Sequence, residues 1–331
     1  MYKIVQLPKQ EFNTYLLNTA AKKNLNVAIV EKDFWVCLTL DYLFQYSKWK
    51  DAFAFKGGTC LSKVYHAIER FSEDIDLILD WRILGYTIDE PWQKRSNTKQ
   101  LQFIEESRQR LYRFLKTEFL DDFMQGMKNL TGISINAYID PNDPGTVIFA
   151  YPSMHSDPSI LNVIKLEIGI LASWMPLTSG FVASFVAEVY PTLFAVSKTR
   201  VNVTTIERTF WEKATILHQE AFRPVDSKVP LRYSRHYYDL FCLCKKGIDK
   251  YALNDSNLLN EVSEFKMKFY PRRWARYDLA KFGSIHLLPP QHSIEQLEKD
   301  YLAMQKMIYG ERPSFKEILQ VIGELEKQIN R

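Results

Sequence analysis

A pair of glycines set between a short apolar run and two alternating aspartates constrains this 331-residue chain more than any other feature. Ala52-Phe-Ala-Phe55 reads as a short buried strand that leads into Lys56-Gly57-Gly58-Thr59. A helix is expected over 59–70 with Thr59 as its N-cap, and Ile75 to Leu79 is expected as a second strand. Successive strand side chains point to opposite faces, so Asp74 and Asp76 share one face while Ile75, Leu77 and Leu79 enter a core from the other. Two carboxylates about 7 Å apart along a strand suit a divalent ion, Mg²⁺ or Mn²⁺, because hard cations take oxygen ligands from a few carboxylates and phosphates. The glycines remove side chains where a triphosphate must approach the backbone. The amide end of the helix carries the partial positive charge that favours phosphate.

A third carboxylate comes from Ile164-Lys165-Leu166-Glu167-Ile168, where Lys165 and Glu167 share one strand face and the aliphatic residues the other. The pattern repeats that of Asp74 and Asp76. Glu167 suits either a metal ligand or the base that deprotonates an acceptor hydroxyl.

Composition limits the rest. A hydrophobic fraction of 46% with 25% charged residues is that of a soluble globular protein. The net charge of +4 means that any polyanion must be met by a local patch. Residues 1–10 are too mixed for a signal peptide, and no run approaches the roughly 18 apolar residues of a membrane span, so a cytoplasmic protein is expected. Cys37, Cys60, Cys242 and Cys244 have neither zinc-knuckle nor redox spacing and are expected as reduced thiols.

Two helices lead the chain. In the second, Val27, Val30, Phe34, Leu38 and Tyr42 recur at helical spacing, and Glu31, Lys32 and Asp33 are expected to solvate one side. Residues 90–100 read as loop, followed by a long amphipathic helix over roughly 98–126. Strands are expected at 133–139, 146–151, 163–170 and 181–190, with a turn at Asp140-Pro-Asn-Asp-Pro-Gly145. From Thr205 onward the pattern is helical.

In that helical half, Ile206, Phe210 and Leu217 form a stripe that contains Lys213. A buried ammonium must be paired or must snorkel; aiming it at a triphosphate or at the carboxylates would satisfy it. Arg235 and Asp239 stand at i, i+4 and are expected to pair. Lys266, Lys268, Arg272, Arg273 and Arg276 interleave with Phe269, Tyr270, Trp274 and Tyr277, the mixture that single-stranded RNA needs. A solvated helix face packed by its aromatics would look the same.

With these residues in hand, the chain resembles the AbiEii/AbiGii toxin family of nucleotidyltransferases, type IV toxin–antitoxin and phage-defence proteins of the polymerase-β-like superfamily. The likeness is carried by Glu31-Lys-Asp-Phe-Trp35, Phe55-Lys-Gly-Gly-Thr-Cys-Leu-Ser-Lys63 and Arg70-Phe-Ser-Glu-Asp-Ile-Asp-Leu77. It continues in Glu207-Arg-Thr-Phe-Trp-Glu-Lys213-Ala214 and Ser234-Arg-His-Tyr-Tyr-Asp-Leu240. Trp274-Ala-Arg-Tyr-Asp278, Asp300-Tyr-Leu-Ala-Met304 and Met307-Ile-Tyr-Gly310 extend it almost to the end.

The resemblance implies an α+β fold: a polymerase-β-like domain with a mixed β-sheet flanked by helices over 1–204, including the N-terminal helices. A helical C-terminal domain over 205–331 would follow, its Lys213 and Asp239 helices packing back on the active site. NTP with Mg²⁺ (or Mn²⁺) is the implied donor and an RNA, tRNA in characterised relatives, the acceptor. A cognate antitoxin acting without a stable complex, and no membrane, complete the implied partners. By position, Gly58 and Thr59 belong to the phosphate-side motif, Asp74 and Asp76 to metal binding, and Lys213 and Asp239 to two further motifs tied to activity; together with Glu167, read from its strand, Asp74, Asp76, Lys213 and Asp239 are the catalytic candidates. Lys56, Gly57, Gly58, Thr59, Ser72, Lys165 and Arg235 are the nucleotide-binding candidates. Many superfamily members carry Gly-Ser where this chain has Gly58-Thr59, a change that keeps the hydroxyl. Transfer to a protein hydroxyl or a small molecule, and a binding module without transfer, are the competing readings.

Overall fold

The computed structural model describes residues 2–158, 160–170 and 176–331. They form two compact units: one of residues up to Val64 together with Ser72–Thr204, the other of Tyr65–Phe71 together with Thr205–Arg331.

In the first unit, helices α1 (Lys9–Lys23) and α2 (Val27–Asp41) precede strand β1 (Phe53–Lys56), helix α3 (Gly57–Lys63) and strand β2 (Ile75–Leu79). Helices α4 (Asn97–Phe114) and α5 (Leu120–Thr131) follow, then β3 (Asn136–Asp140), β4 (Asp143–Ala150), β5 (Ile164–Gly169), β6 (Leu177–Val182), α6 (Phe185–Val189) and β7 (Thr199–Thr204). The strands make one seven-stranded sheet in the order β3-β4-β5-β2-β1-β7-β6. It is mixed: β2 runs parallel to β5 and β1 to β7, while the other neighbours are antiparallel. This is an α+β architecture.

α2 packs against β5 and β7, α4 against β4, and α5 against β3. An aromatic cluster fills the space between: Trp35 meets Phe149 at 6.1 Å, Phe149 meets Phe123 at 5.7 Å, and Phe53 meets Phe119 at 5.7 Å between ring centroids. Such edge-to-face pairs add modestly to the burial of large apolar areas. The helix expected over 98–126 runs on to Thr131, interrupted by a π-turn at Leu115–Phe119. Leu115 and Phe119, four residues apart on one face of that turn, are both buried.

Three expectations need correction here. Residues 181–190 are not one strand: Val182 ends β6, and Ser184 caps α6 by accepting from the Ala187 amide. The strand that pairs with β6 is β7, a Thr-Arg-Val-Asn-Val-Thr alternation outside the expected strands. The helix after the diglycine begins at Gly57 and ends at Lys63, so Thr59 lies inside it and not at its N-cap. Beyond Val64 the chain leaves the unit: the Phe71 amide donates to the Met307 carbonyl at 2.8 Å, and Arg70 bridges Ile308.

The second unit is helical. It contains α7 (Ile206–Ala221), α8 (Ser234–Lys245), α9 (Ile248–Ala252), α10 (Ser256–Phe269), α11 (Gln291–Met304) and α12 (Phe315–Ile329). α7 packs on α8, α9 and α10, and α8 on α11 and α12. Thr205 caps α7, and Ser314 with Glu317 forms a reciprocal capping box at α12. No described helix is long and apolar enough to cross a membrane.

Candidate active site

β1 and β2 pair so that Lys56 lies opposite Asp76, and β2 and β5 pair so that Asp76 lies beside Glu167. Glu167 in turn faces Thr146 on β4. Registered residues on neighbouring strands project from the same face, about 5 Å apart. A polar row of Thr146, Glu167, Asp76 and Lys56 thus crosses the sheet. The row behind it is apolar: Ile75 pairs with Leu166 and Leu77 with Ile168, all four buried. Asp74 lies just before β2. Lys165, two residues before Glu167, leans toward Asp140 at 3.6 Å.

Gly57 has φ +79°, a left-handed conformation that glycine adopts without strain. A Cβ built there would overlap the Asp76 carboxylate. The first glycine therefore makes room for a protein carboxylate. Thr59, buried, donates its hydroxyl to the Asp74 carbonyl at 2.5 Å and so fixes the backbone that presents Asp74. Gly57→Ala is expected to cost about 1–3 kcal/mol of stability through backbone strain. It should lower nucleotidyl transfer about 100-fold by displacing Asp76. Urea unfolding and a transfer assay read the two effects separately.

Sequence reasoning missed what braces this motif. Glu31, Lys32 and Asp33 do not solvate α2; all three are buried. Lys32 pairs with Glu73, the residue before Asp74, at 2.6 Å and also donates to the Leu161 carbonyl at 2.7 Å. Asp33 pairs with Lys63, the last residue of α3, at 2.7 Å and accepts from the Phe185 amide at 2.7 Å. Glu31 accepts from the amides of Met154 and His155 at 2.7 and 2.8 Å. Burial raises the Asp33 carboxyl above its ordinary value. Burial alone would lower Lys63, but the surrounding charges, Asp33 foremost, hold it raised. The available signal was three adjacent charges in a helix otherwise apolar all round, since such helices are buried.

The described residues contain no group of three or more His, Cys, Asp or Glu side chains gathered to hold a metal. Asp74, Asp76 and Glu167 therefore do not form a closed cage. The donor set still fits a Mg²⁺-like ion, which commonly takes one or two protein carboxylates and completes its shell with water and substrate phosphate. Asp74 and Asp76 are both half-buried carboxylates, the type of ligand such an ion takes.

In the second unit the buried Asp239 does not pair with Arg235. Arg70 grips it through Nε at 2.7 Å and Nη2 at 2.9 Å, and Lys213 approaches Oδ2 at 2.8 Å. A bidentate guanidinium and an ammonium thus engage both oxygens of the buried carboxylate. Burial alone would raise Asp239, but Arg70 and Lys213 outweigh it and hold the carboxyl well below its ordinary range. Burial lowers Lys213, and Arg70 adds to that while Asp239 opposes it. Lys213 Nζ also donates to Nδ1 of the buried His236 at 3.3 Å.

Two histidines of this unit are kept neutral. Burial depresses His236, with Lys213 and Arg235 adding to the effect. His218 is lowered mainly by burial. Its Nδ1 accepts from the His286 amide at 3.0 Å, which leaves Nε2 to donate to the Arg276 carbonyl at 2.9 Å. A folded-state value below the unfolded one means that the unfolded chain binds more protons. Stability is therefore full above about pH 6.5 and falls as pH drops below it, by up to about 1.4 kcal/mol per pH unit for each histidine. Urea unfolding at pH 7.5 and 5.5 measures this. His236→Gln should flatten the slope by about one proton.

The basic stretch divides. Phe269 and Tyr277 are buried packing residues, and only Tyr270 and Trp274 reach solvent. Lys266 donates to the Glu212 carbonyl at 3.4 Å, Arg276 pairs with Asp278 at 3.0 Å, and Arg272 lies over the Trp274 ring at 5.8 Å. Lys268 lies 6.0 Å from the centroid of the buried Phe269 ring, and Arg273 is exposed.

No curated protein matches the chain. Among solved structures it is similar to MenT4, a nucleotidyltransferase toxin from Mycobacterium tuberculosis H37Rv, at 14% identity and a TM-score of 0.46, over 94% of this chain and 98% of that one. Residues 40–321 match the family described as nucleotidyl transferase AbiEii toxin, type IV toxin–antitoxin system. With most of its length inside that match, the chain belongs to the AbiEii family and is a nucleotidyltransferase toxin of the type IV class, with a nucleotide as substrate and an antitoxin as counterpart.

Proposed function

We propose that the enzyme transfers a nucleotide from an NTP to an RNA acceptor of the tRNA class, with Mg²⁺ (or Mn²⁺) held at Asp74 and Asp76. The observation that carries this reading is the row Lys56–Asp76–Glu167 on adjacent strands, beside the glycine that admits the Asp76 carboxylate. A divalent ion supplies charge neutralisation at the phosphate oxygens when bound.

The chain's own residues do the rest. Lys56 and Lys165 flank the carboxylates and attract the triphosphate, with Gly57, Gly58, Thr59 and Ser72 shaping the backbone against it. Glu167, exposed and level with Asp76, accepts the proton of the attacking hydroxyl. The hydroxyl oxygen then bonds to the α-phosphorus as the bond to the bridging oxygen breaks, and pyrophosphate leaves. Lys213 and Asp239, with Arg235 nearby, form a charged group within the helical unit. The toxin acts in the cytoplasm, within phage defence, and its antitoxin opposes it without a stable complex.

The test is to incubate the protein with each α-labelled NTP, Mg²⁺ and total cellular RNA and protein, then digest with nuclease or protease. Label removed by nuclease alone supports the reading. Label removed by protease alone moves the acceptor to a protein hydroxyl, and no label with any NTP ends the proposal.

A further inference from the structure

A concavity of about 470 Å³ opens in the first unit, away from the carboxylate row. β1 and β7 run parallel with Phe55 beside Val203, at the end of β7 nearer Lys56. The concavity instead takes Thr199 and Arg200 at the start of that strand, about 10 Å back along it. Its volume lies within the range of ordinary ligand sites.

Three features of its lining point the same way. Lys3, Lys198 and Arg200 stand exposed around it, and among the described residues none of them has an acidic partner. Arg200 Nη2 reaches only the Ser179 hydroxyl, at 3.4 Å. Two rings stand beside these cations, Phe181 at 56% and Tyr46 at 52% exposure, more open than any ring in the basic stretch of the second unit. At the floor the buried Asp41 accepts from the Thr199 hydroxyl, and Gln45 Nε2 donates to the Arg200 carbonyl at 2.6 Å. A carboxylate there repels a phosphate, so the backbone of a strand is kept to the rim. The arrangement therefore places phosphates at the cationic rim and a base against the rings.

We infer that this concavity binds a single-stranded segment of the RNA acceptor, away from the reacting end. Unpaired cations beside exposed rings are the chemistry of single-strand binding, where cations follow the phosphates and rings stack on bases. A protein partner would leave the three cations without a match unless it were strongly acidic. The inference rests on the RNA reading of the acceptor, and its test does not depend on catalysis.

Fluorescence anisotropy with a labelled single-stranded RNA dodecamer, in the absence of NTP, measures it. Lys198→Glu with Arg200→Glu should raise Kd at least about 10-fold and lower the log–log salt slope by about 1.4 for two lost phosphate contacts. Phe181→Ala, which changes no charge, should raise Kd about 5- to 100-fold. Thermal melting checks that both variants stay folded. Equal binding by wild type and both variants overturns the inference, as does wild type that binds only an acidic peptide. Asp76→Asn should bind the RNA as wild type does. RNA labelling that persists while these variants bind normally leaves the proposed reaction standing and removes the exosite. RNA binding that depends on these residues while label goes to protein keeps the surface and removes the acceptor.

Discussion

Asp76→Asn leaves the fold standing and lowers nucleotidyl transfer by about 10³-fold or more. The substitution keeps the shape that packs over Gly57, so neither the turn nor the β1–β2 register is disturbed. What it removes is an anionic oxygen at the centre of the Lys56–Asp76–Glu167 row. A neutral amide binds a hard divalent ion poorly. Removing even one preorganised stabilising group from a water-excluded site typically lowers the rate about 10²–10³-fold, and an ion's charge at the phosphate is worth several kcal/mol. The measurement is transfer of an α-labelled NTP to RNA at saturating Mg²⁺, with circular dichroism to verify folding. Transfer within about tenfold of wild type would remove Asp76 from the chemistry.

The largest effect on stability falls on a different carboxylate. Asp239→Asn should lower unfolding free energy by about 3–5 kcal/mol, because Arg70 and Lys213 are left buried beside a neutral group. Asp239 is fully buried, and both of its oxygens are engaged by those cations. Arg70→Lys should recover only part of the wild-type value, since an ammonium cannot make the two parallel bonds. The linkage has a definite sign. Asp239 titrates below its unfolded value of about 3.8, so its contribution is complete above that pH and is lost as pH falls through the folded value. Denaturant unfolding checks the magnitude, and acid titration of Asp239→Asn checks the sign. A loss under about 1 kcal/mol would mean that the cluster is more hydrated than its burial indicates.

Much of the first unit was legible because its signals are local. Alternation in Ile75–Leu79 and Ile164–Ile168 gave both the strands and the faces that present Asp76 and Glu167. That they lie side by side is a long-range pairing that no spacing reveals. The end of α3 at Lys63 was hidden because residues 64–70 are mixed in character, and what decides their course is backbone pairing with 307–310. The Phe181–Tyr190 run looked extended because it is rich in β-branched and aromatic residues, but Ser184 supplies a cap that starts a helix there. Helical spacing made Arg235 the natural partner of Asp239, whereas Arg70 wins from 169 positions away by offering two parallel bonds to a buried carboxylate. The burial of Glu31, Lys32 and Asp33 followed the same logic: neighbours distant in sequence supply counter-charges to Lys32 and Asp33 and backbone amides to Glu31.

The short stretch 65–71 lies between α3 and β2 in the chain yet belongs to the helical unit. The polypeptide therefore passes from one unit to the other at 64/65, returns at 71/72 and departs finally at 204/205. No single cut can yield both halves intact. A fragment stopping at 204 would carry Arg70 without its carboxylate, and one starting at 205 would carry Asp239 without its guanidinium. Replacing the helical unit by another module therefore requires exchanging residues 65–71 along with it.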